Sequence, residues 1–143
     1  MATPFGFSVG DFLATLELVH DVIEALKASG GSSAEFVELM NELYSLERAL
    51  LQVKHLNVPS SMQPQLAAVR QAAALSQGSI DDFLQKIKKF QPTLRIGGSQ
   101  HKWKDALHKI QWRLYKKDDV DALRATLRGH TLSIIMLLQS IQL

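Results

Sequence analysis

Residues 32–54 read Ser-Ser-Ala-Glu-Phe-Val-Glu-Leu-Met-Asn-Glu-Leu-Tyr-Ser-Leu-Glu-Arg-Ala-Leu-Leu-Gln-Val-Lys, and the fold class follows from them. Phe36, Leu39, Leu43, Leu46, Leu50 and Val53 are separated by steps of three and four, so they form one stripe along a helix. Ser32 with Glu35 three residues on is the pattern of a capping box, which places the helix start. Asn57-Val58-Pro59-Ser60-Ser61 closes the segment as a turn.

The same spacing recurs on both sides. Upstream, Val9, Phe12, Leu16, Val19, Ile23 and Leu26 form a stripe that starts at the capping residue Ser8 and stops at Ser29-Gly30-Gly31. Downstream, Leu66, Val69, Ala73, Ser76, Ile80, Phe83, Ile87 and Phe90 keep one register through Gly78, which predicts a single long helix starting near 62–64. Pro64 suits its first turn, and Pro92 with Gly97 and Gly98 ends it. Ser99 opens a fourth segment carrying Trp103, Leu107, Ile110 and Leu114. A last stripe runs Val120, Leu123, Leu127, His130, Ile134, Leu137 and Ile141. It is out of phase with the fourth, so a break falls between Leu114 and Val120, where Asp118 and Asp119 are good caps. The expectation is a single all-α domain over residues 1–143, a bundle of four to five helices with shallow crossing angles.

Composition narrows the function classes. The 143 residues contain no cysteine, which excludes thiol catalysis, disulfides and cysteine-based metal centres and suits a reducing compartment. No apolar run reaches the ~20 residues of a membrane-spanning helix, and no basic residue precedes the apolar N-terminus as in a secretory signal. The expected location is cytoplasmic. The net charge of +2 hides a strong asymmetry: residues 1–75 hold four basic and eight acidic side chains, residues 76–143 twelve and six. Between Lys86 and Lys117 stand ten basic residues and one acid, Asp105. Such a division points to an anionic partner or to an acidic half packed on a basic half.

No catalytic constellation emerges, so an enzyme is not expected, nor is a cofactor. His101, Asp105 and His108 share a helix face, but a surface polar cluster is the commoner meaning of such a trio than a metal site. Ser99 and Lys102 match a Ser-x-x-Lys spacing without its companion motifs. His130, at a core position of the last stripe, reads as a satisfied buried or half-buried histidine or, less often, as a pH-sensitive group. Trp112 falls opposite the core stripe of its segment among Lys102, Lys109, Arg113 and Lys116. That is the arrangement of a membrane-surface or partner anchor, and equally of a tryptophan packed on a second helix. With Lys86, Lys88 and Lys89 these residues define a cationic face for anionic lipid or an acidic partner. A basic recognition helix and an aromatic base platform are both missing from the sequence, so nucleic acid is not expected. At the other end Phe5, Phe7, Val9, Phe12, Leu13 and Leu16 make an apolar, glycine-punctuated start. It reads either as an arm packed on the bundle or as a detachable membrane-inserting element.

Two stretches carry a resemblance. Residues 6–27, GFSVGDFLATLELVHDVIEALK, and 108–138, HKIQWRLYKKDDVDALRATLRGHTLSIIMLL, resemble the opening and closing parts of the fungal N-terminal domain of STAND proteins, the NOD-like-receptor-like signalling ATPases. That family is similar to the HeLo and HeLo-like domains of fungal incompatibility proteins. The resemblance implies a helical signalling or effector module at the N-terminal end of a longer protein. It implies self-association and, in cell-death members, exposure of the first helix to membranes; here that element is about Phe5 to Leu26. The partners it implies are a second copy, anionic plasma-membrane lipid and a downstream domain. A non-lytic interaction or oligomerisation scaffold is the alternative.

Overall fold

A computed structural model describes residues 9–28, 34–90 and 117–141, apart from the side chains of Val9, Asp11, Glu35 and residues 87–90. Among the described residues the chain forms four helices and no strand: α1 (Val9–Ala28), α2 (Ala34–Lys54), α3 (Gln63–Phe90) and α4 (Lys117–Ile141). The all-α bundle expected from the spacing is what the chain adopts. The capping roles assigned to Ser8 and Ser32, and the segment from Ser99 to Leu114, lie outside the described residues.

The stripes become the core. In α1, Phe12, Leu16, Val19, Ile23 and Leu26 are buried, joined by Val22 and Ala25; in α2 all six predicted positions are buried. In α3, Leu66, Val69, Ala73, Ser76, Ile80 and Phe83 are buried, with Leu84 beside them. Gly78 does not interrupt α3, and its missing side chain faces open space. Burying each large aliphatic side chain contributes about 1.5–3 kcal/mol, which is why the pattern of leucines outweighs one weak helix former.

The α2–α3 connection is built from short-range bonds. The N–H of Leu56 donates to the Val53 carbonyl at 3.2 Å, so the end of α2 tightens. Pro59 is extended, and the Met62 N–H donates back to the Pro59 carbonyl at 2.9 Å, closing a 3₁₀ turn over Ser60–Met62 that leads directly into α3. Leu56, Val58 and Met62 pack on the core, so this connection is anchored rather than merely spanning.

Helix order around the bundle follows from the packing. α4 lies against both α2 and α3, and α1 also lies against both, while α2 and α3 scarcely touch. α1 and α4 therefore occupy opposite corners. The five residues 29–33 between α1 and α2 require those two neighbours to run antiparallel. Arg124 pairs with Glu38 and Arg128 with Glu42, so α2 and α4 run parallel in fixed register. Ser79 meets His130, while Lys86 and Asp119 line the same groove further along, so α3 and α4 run antiparallel.

The last helix starts at Lys117, inside the interval expected between Leu114 and Val120, with Asp118 and Asp119 in its first turn, where carboxylates favour the positive helix end. Its core stripe differs from the expected one: it is Val120, Leu123, Leu127, Thr131, Ile134, Leu138 and Ile141; His130 and Leu137 are only half-buried. Both sit one position off the centre line, on the flank toward α3. Periodicity fixes the spacing of a stripe, but the neighbours on either side decide its centre.

Candidate functional site

Three features of this bundle carry chemistry beyond packing: the face of α1, the α2–α4 ion pairs, and the α3–α4 seam. The described members of the predicted membrane-inserting set all lie on α1, and they divide between core and surface. Phe12 and Leu16 are buried at 3% and 8% exposure and form part of the core, whereas Leu13 is 42% exposed. Val9 opens α1, and Phe5 and Phe7 lie outside the described residues. In the closed bundle the apolar face of α1 is thus turned inward, against α2 and α3.

Polar ties between α1 and the rest are of two kinds. At the surface His20 Nδ1 lies 3.1 Å from Glu47 of α2, and Glu24 lies 3.9 Å from His20 and 3.8 Å from Lys27. Inside, the Thr15 hydroxyl, fully buried, donates to Oε1 of Gln77 on α3 at 2.5 Å. A short polar side chain at this depth requires such a partner, since an unpaired buried hydroxyl costs about 1–3 kcal/mol.

The charge asymmetry of the sequence is resolved in part by α2 and α4. Glu38 and Glu42 lie one turn apart on α2, and Arg124 and Arg128 one turn apart on α4. Arg128 Nε donates to Glu42 at 3.2 Å, and Arg124 reaches both Glu38 and, at 3.5 Å, Asp121. This ladder is the acidic half meeting the basic half. Of the predicted cationic face, Lys86 is exposed and borders the α3–α4 groove. Lys88 and Lys89 lie in the last turn of α3, their side chains beyond description. Lys102, Lys109, Trp112, Arg113 and Lys116 lie outside the described residues, as do His101, Asp105, His108 and Ser99.

The α3–α4 seam was not visible as a unit in the sequence. His130 Nε2 lies 2.8 Å from the Ser79 hydroxyl, which also donates to the Leu75 carbonyl of its own helix at 3.3 Å. Burial holds the imidazole below its ordinary 6.5, favouring the neutral ring. Toward the far end of the helix pair a groove of about 250 Å³ opens, with Phe83 and Leu123 as its apolar floor and Asp82, Asp119 and Lys86 on its rim. Thr131, one residue along from His130, is buried with its hydroxyl unpartnered among the described residues. Histidine at a stripe position was the available signal; its partner, 51 residues away, had none.

Among the described residues no cluster of three or more His, Asp or Glu is placed to hold a metal ion. Nor is any helix there long and apolar enough to cross a membrane. No protein-family model, curated protein or solved structure matches this chain.

Proposed function

We propose that this chain is a signalling or effector module of the HeLo-like kind, in fungal cell death or innate immunity, acting through a change in the packing of its first helix. On this reading self-association releases α1, and the freed apolar face of Phe12, Leu16, Val19 and Ile23 engages membrane. The basic stretch around Lys86, Lys102, Lys109, Arg113 and Lys116 holds the bundle at anionic lipid of the plasma membrane, and a domain that follows in the same protein supplies the signal.

The observation that carries the reading is the position of α1. It is a 20-residue amphipathic helix at the corner opposite α4, with its apolar face stored against α2 and α3. A helix that stores apolar surface this way gains it for a new partner when it detaches. The acidic side chains Glu17, Asp21 and Glu24 stay on the polar side, where they suit water or a polar lumen rather than an anionic surface.

The chain's lack of cysteine allows a direct test. His20→Cys and Glu47→Cys place thiols on α1 and α2 at a surface contact, and a short cleavable bis-maleimide bridges them. The unbridged protein is expected to sediment with vesicles containing phosphatidylserine and to leave neutral vesicles in the supernatant. Bridging should abolish binding, and cleaving the linker should restore it. Equal binding with the bridge in place excludes release of α1; no binding in any state excludes the membrane role.

A second reading, a non-lytic interaction scaffold, is favoured by Leu132, Ile135 and Met136, which share the outer face of α4 and are 54%, 37% and 69% exposed. Light scattering of wild type against Leu132→Ser/Met136→Ser separates the two readings: loss of an oligomer with vesicle binding unchanged selects the scaffold.

A further inference from the structure

We propose that Ser79 and His130 form a proton-operated latch on the α3–α4 seam: the neutral imidazole keeps the seam closed, and protonation opens it toward the adjoining groove. The 2.8 Å contact is a side-chain bond that ties the middle of α3 to the middle of α4, and it lies at the partly buried edge of the core. Ser79 belongs at once to this contact and to the wall of the 250 Å³ groove, so a seam that parts at Ser79 parts into that groove.

The charges around the ring decide the direction. Among the described residues no carboxylate pairs with His130, so an imidazolium there is half-desolvated and uncompensated. On α3 the charged groups flanking Ser79 on the groove side are Asp82 and Lys86, and on α4 they are Asp119 and, on the opposite flank, Arg128. The α4-facing acids of α2, Glu38 and Glu42, are engaged by Arg124 and Arg128 on the far side of the helix, and α1 lies diagonally across. Asp82, on the groove rim one turn from Ser79, is therefore the anion that a protonated His130 can approach by leaving the seam. The Ser79 hydroxyl gives its proton to the Leu75 carbonyl and accepts from Nε2–H in both states of the ring, so the bond itself does not open the seam; the desolvated charge does.

Burial lowers the affinity of the folded state for this proton. The contribution of the neutral ring to stability is therefore complete above the unfolded-state value near 6.5. It is lost as pH falls from there to the folded-state value, and does not change below it. Acid thus loosens the clamp that α4 provides, a control distinct from release of α1.

Two measurements test the latch in the full chain. Imidazole ¹³C–¹H resonances followed from pH 8 to pH 4.5 should show His130 titrating below 6.5. Leu123→Cys, on the buried groove floor and with no other thiol in the protein, reports opening through its reaction with dithiodipyridine, normalised to a free peptide thiol. Its labelling should accelerate several-fold between pH 7.5 and pH 5.5, and remain flat when His130→Gln is added, since glutamine keeps a hydrogen-bonding group but does not titrate. Titration of His130 at or above 6.5, or the same acceleration with and without His130→Gln, overturns the proposal. Should the double variant not fold, the wild-type titration still decides.

Discussion

α1 and α4 are both amphipathic helices packed on α2 and α3, yet they are held very differently. Among the described residues α4 packs on α2 and α3 more extensively than α1 does, and adds a two-rung arginine–glutamate ladder to α2 and the histidine–serine contact to α3. The contacts of α1 to α2 and α3 include the stored apolar face, the surface His20–Glu47 contact and the buried Thr15–Gln77 bond. Local opening takes its free energy from the contacts it breaks, so elements with fewer contacts open at lower cost than the whole molecule. Among the described residues α4 is the clamp and α1 the more lightly held corner.

The comparison breaks most decisively under core truncation. Leu127→Ala, at a fully buried site in α4, should cost about 3–5 kcal/mol of global stability and raise amide exchange everywhere. Ile23→Ala, equally buried in α1, should raise exchange of α1 amides well before it affects those of α4. Denaturant-dependent native-state hydrogen exchange reads both. If the Ile23 variant raises exchange in α1 and α4 together, the two corners form one cooperative unit and are held alike.

A smaller effect sharpens the picture of α4. Thr131 is 5% exposed and its hydroxyl has no partner among the described residues, so it pays desolvation without return. Thr131→Val keeps the shape and removes the hydroxyl, and should raise the unfolding free energy by about 1–2 kcal/mol in a denaturant titration. A loss of stability instead would mean that the hydroxyl is satisfied and that the core of α4 is less strained than it looks. The counterpart in α1, Thr15→Val, should destabilise, because it leaves Gln77 without its donor.

These pairs also mark what a reader of the sequence alone can reach. The stripes of α1, α2 and α3 were legible because apolar side chains at steps of three and four have one reading. Gly78 changes that reading little, since an open helix surface tolerates it. The arrangement of the helices was not legible. Glu38, Glu42, Arg124 and Arg128 each show an i, i+4 spacing, but the sequence does not say that the two pairs face one another. Ser79 is an ordinary surface-type residue until α4 is laid antiparallel on α3, and only then does it become the partner of His130. Burial of Phe12 and Leu16 could be read from their stripe, whereas the weaker hold on α1 depends on which helices became its neighbours.

The smallest expected effect concerns the α2–α4 ladder, and it tests whether charge or packing makes α4 the clamp. Arg128 is 71% exposed and Glu42 16%, so most of their attraction is screened by solvent. A double-mutant cycle with Arg128→Ala and Glu42→Ala should give a coupling of only about 0.2–1 kcal/mol, falling toward zero between 50 mM and 1 M salt. Arg124 is more covered and contacts two carboxylates, so its coupling to Glu38 should be the larger of the two rungs and the less sensitive to salt. Couplings of this size set the register of two parallel helices without being able to hold them together. The apolar stripe from Val120 to Ile141 must then supply the hold, and neutralising both rungs should leave α4 docked. An undocked α4 in that double-rung variant, seen as loss of protection confined to residues 117–141, would reverse the assignment and make the ladder the clamp.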